Sequence, residues 1–186
     1  MNAKKVFLHA GCGRKGPVPA PGVFSPDEWR EIRLDADPAV EPDVVATITA
    51  MPEIRDGAMD AVFTSHTLEH LYAHEVGAAL SEFMRVLKPG GFALIVVPDL
   101  QAVAELVAAG KAHQPAYESA EGPITPLDMI YGHGPSLAAG KLHMAHRTGF
   151  TAESLDAALA DAGFAQRKVD RRHEHLDIRA VAFKVV

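Results

Sequence analysis

Gly11-Cys12-Gly13-Arg14-Lys15-Gly16 follows an apolar run, Val6–Ala10, and precedes an acid, Asp35, that closes a second apolar run at Ile32–Asp35. Glycines in this pattern let the backbone turn tightly beneath a ligand, and an acid some twenty residues on is placed to grip both hydroxyls of a ribose. A dinucleotide also needs the N-terminus of a helix aimed at its pyrophosphate. Pro17, Pro19 and Pro21 stand there instead, and alternating prolines cannot run on as helix because each lacks an N–H and clashes with the preceding turn. The pattern favours a ligand with a ribose and no phosphate.

Other side chains offer proton transfer or ligation. His66, His70 and His74 recur every fourth residue and would share one helix face, a spacing able to seat a metal with Glu69 nearby. The plainer reading bonds His70 to a neighbouring loop and leaves His74 in solvent, so no metal is assigned. His66 is the candidate catalytic residue, a proton acceptor kept neutral by the positive end of a helix dipole. Asp99, Tyr131, His133, His143 and His146, with Arg147 beside them, are candidates for hydrogen bonds to a substrate, ahead of a divalent ion. Cys12 has no assigned base and reads as a small buried hydrophobe. The Arg171–His175 turn reads as a solvated hairpin tip.

These residues need elements to hold them. Apolar runs bounded by Gly, Pro and Asp at Val6–Ala10, Ile32–Asp35, Val44–Ile48, Ala61–Ser65 and Phe92–Val97 suit strands covered on both faces of a parallel sheet. Leu68, Tyr72, Val76, Leu80, Phe83 and Leu87 repeat at three and four and predict a helix that Lys88-Pro89-Gly90-Gly91 stops. Helices are expected at Leu100–Ala109 and Ala152–Ala162, the latter between Thr151 as N-cap and Gly163 as C-cap. Gln166–Arg172 and Asp177–Val186 predict an antiparallel hairpin. Residues 111–150, rich in Gly, Pro and His with little periodicity, are expected to form a substrate lid without regular structure. The few residues between Asp35 and Asp43 are short for a parallel crossover, which points to a trimmed sheet. Its edge near Val44–Ile48 could pair with a second copy as a homodimer.

At 186 residues, 48% of them hydrophobic, the chain suits one core and is short for two domains, so residues 1–186 are expected to form one domain. A net charge of -6 and no long Lys/Arg run argue against a nucleic-acid partner. The single cysteine excludes an internal disulfide and suits a reducing compartment. The apolar stretch after Lys4-Lys5 is too short for a signal core, and no run approaches a membrane span. A cytoplasmic protein with no membrane partner is expected.

VFLHAGCG, IRLDADP, the run from Ala46 through MPEIRDGAMDAVFTSHTLEHL, and EFMRVLKPGGFALIVVPD, together spanning residues 6–99, resemble class I S-adenosylmethionine-dependent methyltransferases, specifically the small type 11 family. The resemblance implies an α/β, Rossmann-like class I methyltransferase sheet, mostly parallel with a C-terminal antiparallel hairpin. Its N-terminal half would be shortened, because proline-rich residues 17–26 replace the usual first helix. It also implies S-adenosyl-L-methionine as cofactor and in-line methyl transfer to an acceptor, expected to be a small molecule. Ala10, Gly11 and Gly13 would line the methionine part of the cofactor and Asp35 would hold its ribose. Thr47 takes a position that often carries an Asp for the adenine amino group, with Ile48 beside the ring, and Ser65 and His66 would lie near the sulfonium. Two alternatives stand beside this reading: an NAD-dependent oxidoreductase resting on the same glycines and Asp35, and a non-catalytic S-adenosylmethionine-binding module, which Thr47 and the trimmed sheet favour.

Overall fold

The computed structural model describes residues 3–17, 20, 22–119 and 121–185. Its strands are β1 (Lys5–Ala10), β2 (Trp29–Asp35), β3 (Val44–Val45), β4 (Met59–Ser65), β5 (Leu87–Pro98), β6 (Tyr117–Ser119), β7 (Gly122–Ile124), β8 (Gln166–Arg172) and β9 (Asp177–Phe183). Its α-helices are α1 (Val76–Val86), α2 (Leu100–Ala108), α3 (Pro126–Tyr131), α4 (Gly134–Ala138) and α5 (Ala152–Asp161). Seven strands form one sheet in the order β3-β2-β1-β4-β5-β9-β8. The first five are parallel, while β9 runs antiparallel between β5 and β8. This is the expected mostly parallel sheet closed by a C-terminal hairpin. Strand order reverses on either side of β1, so the crevice above the carboxyl ends of β1, β2 and β4 is where an open sheet of this kind binds ligands.

The two faces of the sheet are covered differently. On one, Leu8, Leu34, Val62, Ile95 and Ala180 pack against Leu80 and Phe83 of α1 and Leu155 and Leu159 of α5. On the other, Phe7, Phe24, Trp29, Phe63 and Leu94 form a cluster drawn from strands and the segment before β2, with no helix contributing. Phe24 stacks on Phe7 at 4.2 Å and meets Trp29 edge-on at 5.1 Å, the geometry that aromatic quadrupoles favour. Among the described residues between β1 and β2 there is no helix, as the prolines led one to expect. Pro19 and Pro21 themselves lie outside the described residues, as does Val186 at the end of the hairpin.

Several expectations need correction. The helix expected from Leu68 begins at Val76, because Leu68–His70 and Ala73–Glu75 are separate 3-10 turns, so His66, His70 and His74 do not share a helix face. Leu87 already belongs to β5. The edge strand is only Val44–Val45, shorter than the expected Val44–Ile48. Residues 111–150 are not irregular. They hold the β6–β7 hairpin, α3 and α4, and α3 starts with a reciprocal cap in which Asp128 N–H donates to Thr125 Oγ1 at 3.2 Å while Thr125 N–H donates to Asp128 Oδ2 at 2.9 Å. That cap was legible as Thr125-x-x-Asp128, but elements this short leave no periodicity. Arg171 and Arg172, placed at a solvated tip, instead pair with Asp99 and Asp177 at 2.5 Å each. Among the described residues no helix is long and apolar enough to cross a membrane.

Candidate functional site

The glycine turn and Asp35 are bonded into one unit. Gly11 and Gly13 have φ of +72° and +57°, conformations that favour glycine. A Cβ on Gly11 would stand 2.4 Å from the Thr67 side chain, whereas nothing lies within 4 Å of one on Gly13. Gly11 N–H and Cys12 N–H donate to Leu34 O at 2.9 and 3.0 Å. Gly13 N–H donates to Asp35 Oδ2 at 2.8 Å and Asp37 N–H to Asp35 Oδ1 at 3.0 Å. The carboxylate is thus held by two backbone donors and keeps a lone pair on each oxygen for a ligand. Buried Arg33 braces the turn from below, donating to Gly13 O at 2.5 Å and Glu41 O at 2.7 Å.

Above this unit lies a cavity of about 800 Å³, within the range of small-molecule and cofactor sites. Gly11, Gly13, Asp35, Thr47, Ile48, Ser65, His66 and His143 all line it. Ala10 does not, being fully buried behind the turn. A hollow of about 410 Å³ between α1 and α5, walled by small residues such as Gly77, Ser81 and Ser154, gathers no comparable set of polar groups. His9, Thr67, His70, Met144 and Arg147 also line the main cavity. His9 was missed, although a histidine inside an apolar strand was a signal. Burial pulls its imidazole down, partly offset by Glu31, to which its Nδ1 is bonded at 2.7 Å. Burial pushes the Cys12 thiol up to about 11, consistent with a cysteine that is no nucleophile at neutral pH.

His66 has a left-handed backbone, φ +52°, unusual for a residue with a side chain and a mark of positions held for a purpose. It precedes a 3-10 turn rather than a helix, so no helix dipole keeps it neutral. Burial disfavours its imidazolium, but the Glu69 carboxylate outweighs burial and, with Asp177, raises its pKa, the opposite of the direction expected. Its Nδ1 lies 3.5 Å from Glu69 Oε1, a charge contact without hydrogen-bond geometry, since neither Glu69 oxygen has a hydrogen-bond partner.

The remaining expected substrate residues separate. Asp99 is a correction: it is 1% exposed and caps α2 through Oδ1, which accepts from Gln101 N–H and Ala102 N–H, while Oδ2 binds Arg171. A polar residue before an apolar run was an N-cap signal. Tyr131 and His146 line a smaller hollow of about 220 Å³ with Glu69. His133 is bonded to Ser136 at 2.9 Å and lines neither hollow. His143 alone of this set reaches the main cavity.

A family model described as a methyltransferase domain matches residues 23–95. The fold is similar to an S-adenosylmethionine-dependent methyltransferase from Methanosarcina mazei, with 16% identity over 100% of this chain and 95% of that one, at a TM-score of 0.63. It is also similar to a Thermotoga maritima S-adenosylmethionine-dependent methyltransferase described as a possible histamine N-methyltransferase, with 14% identity over 99% and 84% of the chains, at a TM-score of 0.57. A third is the Burkholderia thailandensis 1,6-didemethyltoxoflavin-N1-methyltransferase with bound 1,6-didemethyltoxoflavin and S-adenosylhomocysteine, with 16% identity over 98% and 72%, at 0.57. No curated protein matches the sequence significantly.

Proposed function

We propose that this chain, a class I S-adenosylmethionine-dependent methyltransferase of the type 11 family, carries a methyl group to a small-molecule acceptor seated between His66, His143 and Arg147. The bound cofactor supplies an electrophilic methyl on a sulfonium. The residues present fit it: Asp35 offers two fixed acceptor atoms for a ribose, and the open space over Gly13 lets a ligand lie against backbone. Thr47, which is exposed, and buried Ile48 close the far end, where a hydroxyl can accept from an adenine amino group. The joined Asp35–Gly13 unit at the mouth of the cavity is the observation that carries this reading.

Methyl transfer from sulfur is an in-line displacement, so alignment is the main requirement. The acceptor's lone pair forms the new bond to carbon as the carbon–sulfur bond breaks and its electrons stay on sulfur. His66, at the carboxyl end of β4, would take the proton of a hydroxyl or amine acceptor in its unprotonated form, which its raised pKa moves toward higher pH. Residues 111–150 serve as the cover, with His143, Met144 and Arg147 forming its inner wall. Exclusion of water is their task, and the Burkholderia structure, which holds a small acceptor and S-adenosylhomocysteine together, supports a small-molecule acceptor here.

Calorimetric titration with S-adenosylhomocysteine tests the cofactor end. Wild-type protein should bind it, and Asp35→Ala should weaken binding roughly 10²-fold, because hydrogen bonds to a charged group are each worth about 1.5–3 kcal/mol. Binding of NADH in its place, or an unchanged affinity in Asp35→Ala, would overturn the assignment.

A further inference from the structure

We propose that Glu69, His70 and His146 form a binding site for one divalent transition-metal ion of the zinc type, set in the wall between the cofactor cavity and the smaller hollow beside α3. One ligand atom from each of the three lies within 4.8 Å of the others. Glu69 carries the inference. Its side chain is 1% exposed and neither oxygen accepts a hydrogen bond; the His66 ring at 3.5 Å acts on its charge without bonding it, so a buried carboxylate of a kind that costs several kcal/mol when uncompensated keeps its acceptor capacity for a metal ion.

The two imidazoles are prepared as ligands. His70 Nδ1 lies 3.1 Å from Ala145 O and His146 Nδ1 lies 2.8 Å from Met129 O. A carbonyl only accepts, so each Nδ1 carries a hydrogen, and the tautomer this selects has its lone pair on Nε2, the atom free to ligate. An imidazole oriented by a second-sphere carbonyl in this way is the usual arrangement at metal sites. The rings stand 4.9 Å apart at 69°, edge to face rather than stacked.

The scaffold is tied together from both sides. Arg147 N–H and Thr148 N–H both donate to Glu69 O, at 2.8 and 3.2 Å, and the Arg147 guanidinium donates to His70 O at 3.2 Å. Zinc bonds of ~2.0–2.2 Å to nitrogen and oxygen place ligand atoms roughly 3.3–3.6 Å apart in a tetrahedron. Ligand atoms up to 4.8 Å apart would therefore draw together by up to roughly 1.2–1.5 Å on binding. Two imidazoles and a carboxylate suit zinc or a neighbouring transition metal and disfavour magnesium and calcium, which prefer all-oxygen sets. Three protein ligands leave a fourth position for water or an acceptor heteroatom.

Zinc titrated calorimetrically into the full chain, after chelation and dialysis, should bind at one equivalent. Glu69→Gln and His146→Gln should each weaken it by at least ~10–100-fold, the loss that outer-sphere substitutions alone produce. X-ray absorption of the zinc-loaded wild type should show two imidazole ligands with oxygen and no sulfur, and it decides the matter if a variant fails to fold. No stoichiometric binding, full binding retained in both variants, or a different ligand set would overturn the site. S-adenosylhomocysteine affinity, measured on the same samples, reports the cofactor reading separately, since the metal site shares none of Asp35, Gly11 or Gly13.

Discussion

The cavity has two halves built by different means. The half proposed to take the cofactor is made by neighbouring stretches of backbone: the turn after β1, the end of β2 and the residues after β3, with Asp35 and Arg33 bonded to main-chain groups. The half proposed to take the acceptor is made by side chains from distant stretches, and the bond from His70 to Ala145 O joins residues 75 apart in sequence. Backbone-held groups tolerate little change because each hydrogen bond fixes several others. Side-chain-held groups can be altered one at a time, which is how one fold serves many acceptors.

Gly11→Ala is the severest way to break the first half. Its Cβ would stand 2.4 Å from Thr67 and its φ is +72°. Left-handed strain costs ~1–3 kcal/mol and forced overpacking a similar amount. A drop in stability of about 2–5 kcal/mol in urea unfolding, with loss of S-adenosylhomocysteine binding, is expected. A variant as stable and as tightly binding as wild type would mean that the turn is not packed on Thr67.

His66→Asn acts on the second half. For a hydroxyl or amine acceptor, kcat should fall by ~10²-fold or more, the usual contribution of general acid–base catalysis. S-adenosylhomocysteine affinity should stay within about two-fold, because Asp35 and the glycine turn are untouched. Equal loss of turnover and cofactor affinity would show that the halves are not separable.

Cys12 gives the mildest probe. With its thiol at about 11, roughly 10⁻³ of it is thiolate at pH 8, so alkylation should run about 10²-fold slower than for free cysteine. The rate should climb about tenfold per pH unit up to pH 10 and slow further when S-adenosylhomocysteine fills the cavity. A plateau near pH 8.5 would place the thiol in water instead.

Much of the frame was legible because its signals are local. The apolar runs located β1, β2, β4 and β5, alternation located the β8–β9 hairpin, and Thr151 and Gly163 bounded α5. Boundaries were lost where packing overrode pattern: Leu68 and Tyr72 repeat like helix residues, yet Leu68 belongs to a 3-10 turn that seats it in the core and Tyr72 precedes a second such turn. Asp99 was misread because an acid at the end of a strand looks the same whether it faces a ligand or caps the next helix. Arg33 was overlooked because a charge in the run IRLD has no meaning until the turn it braces is in place.

The sequence by itself determined that the glycine turn and Asp35 form one unit at a strand end, because glycines with positive φ and an acid at a strand terminus act through the adjacent backbone and follow from local spacing. Only the tertiary structure decided that Asp99 serves a helix and that Glu69, His70 and His146 meet. Those outcomes depend on which distant segments pack together, and burial turns an ordinary carboxylate into one that demands a partner.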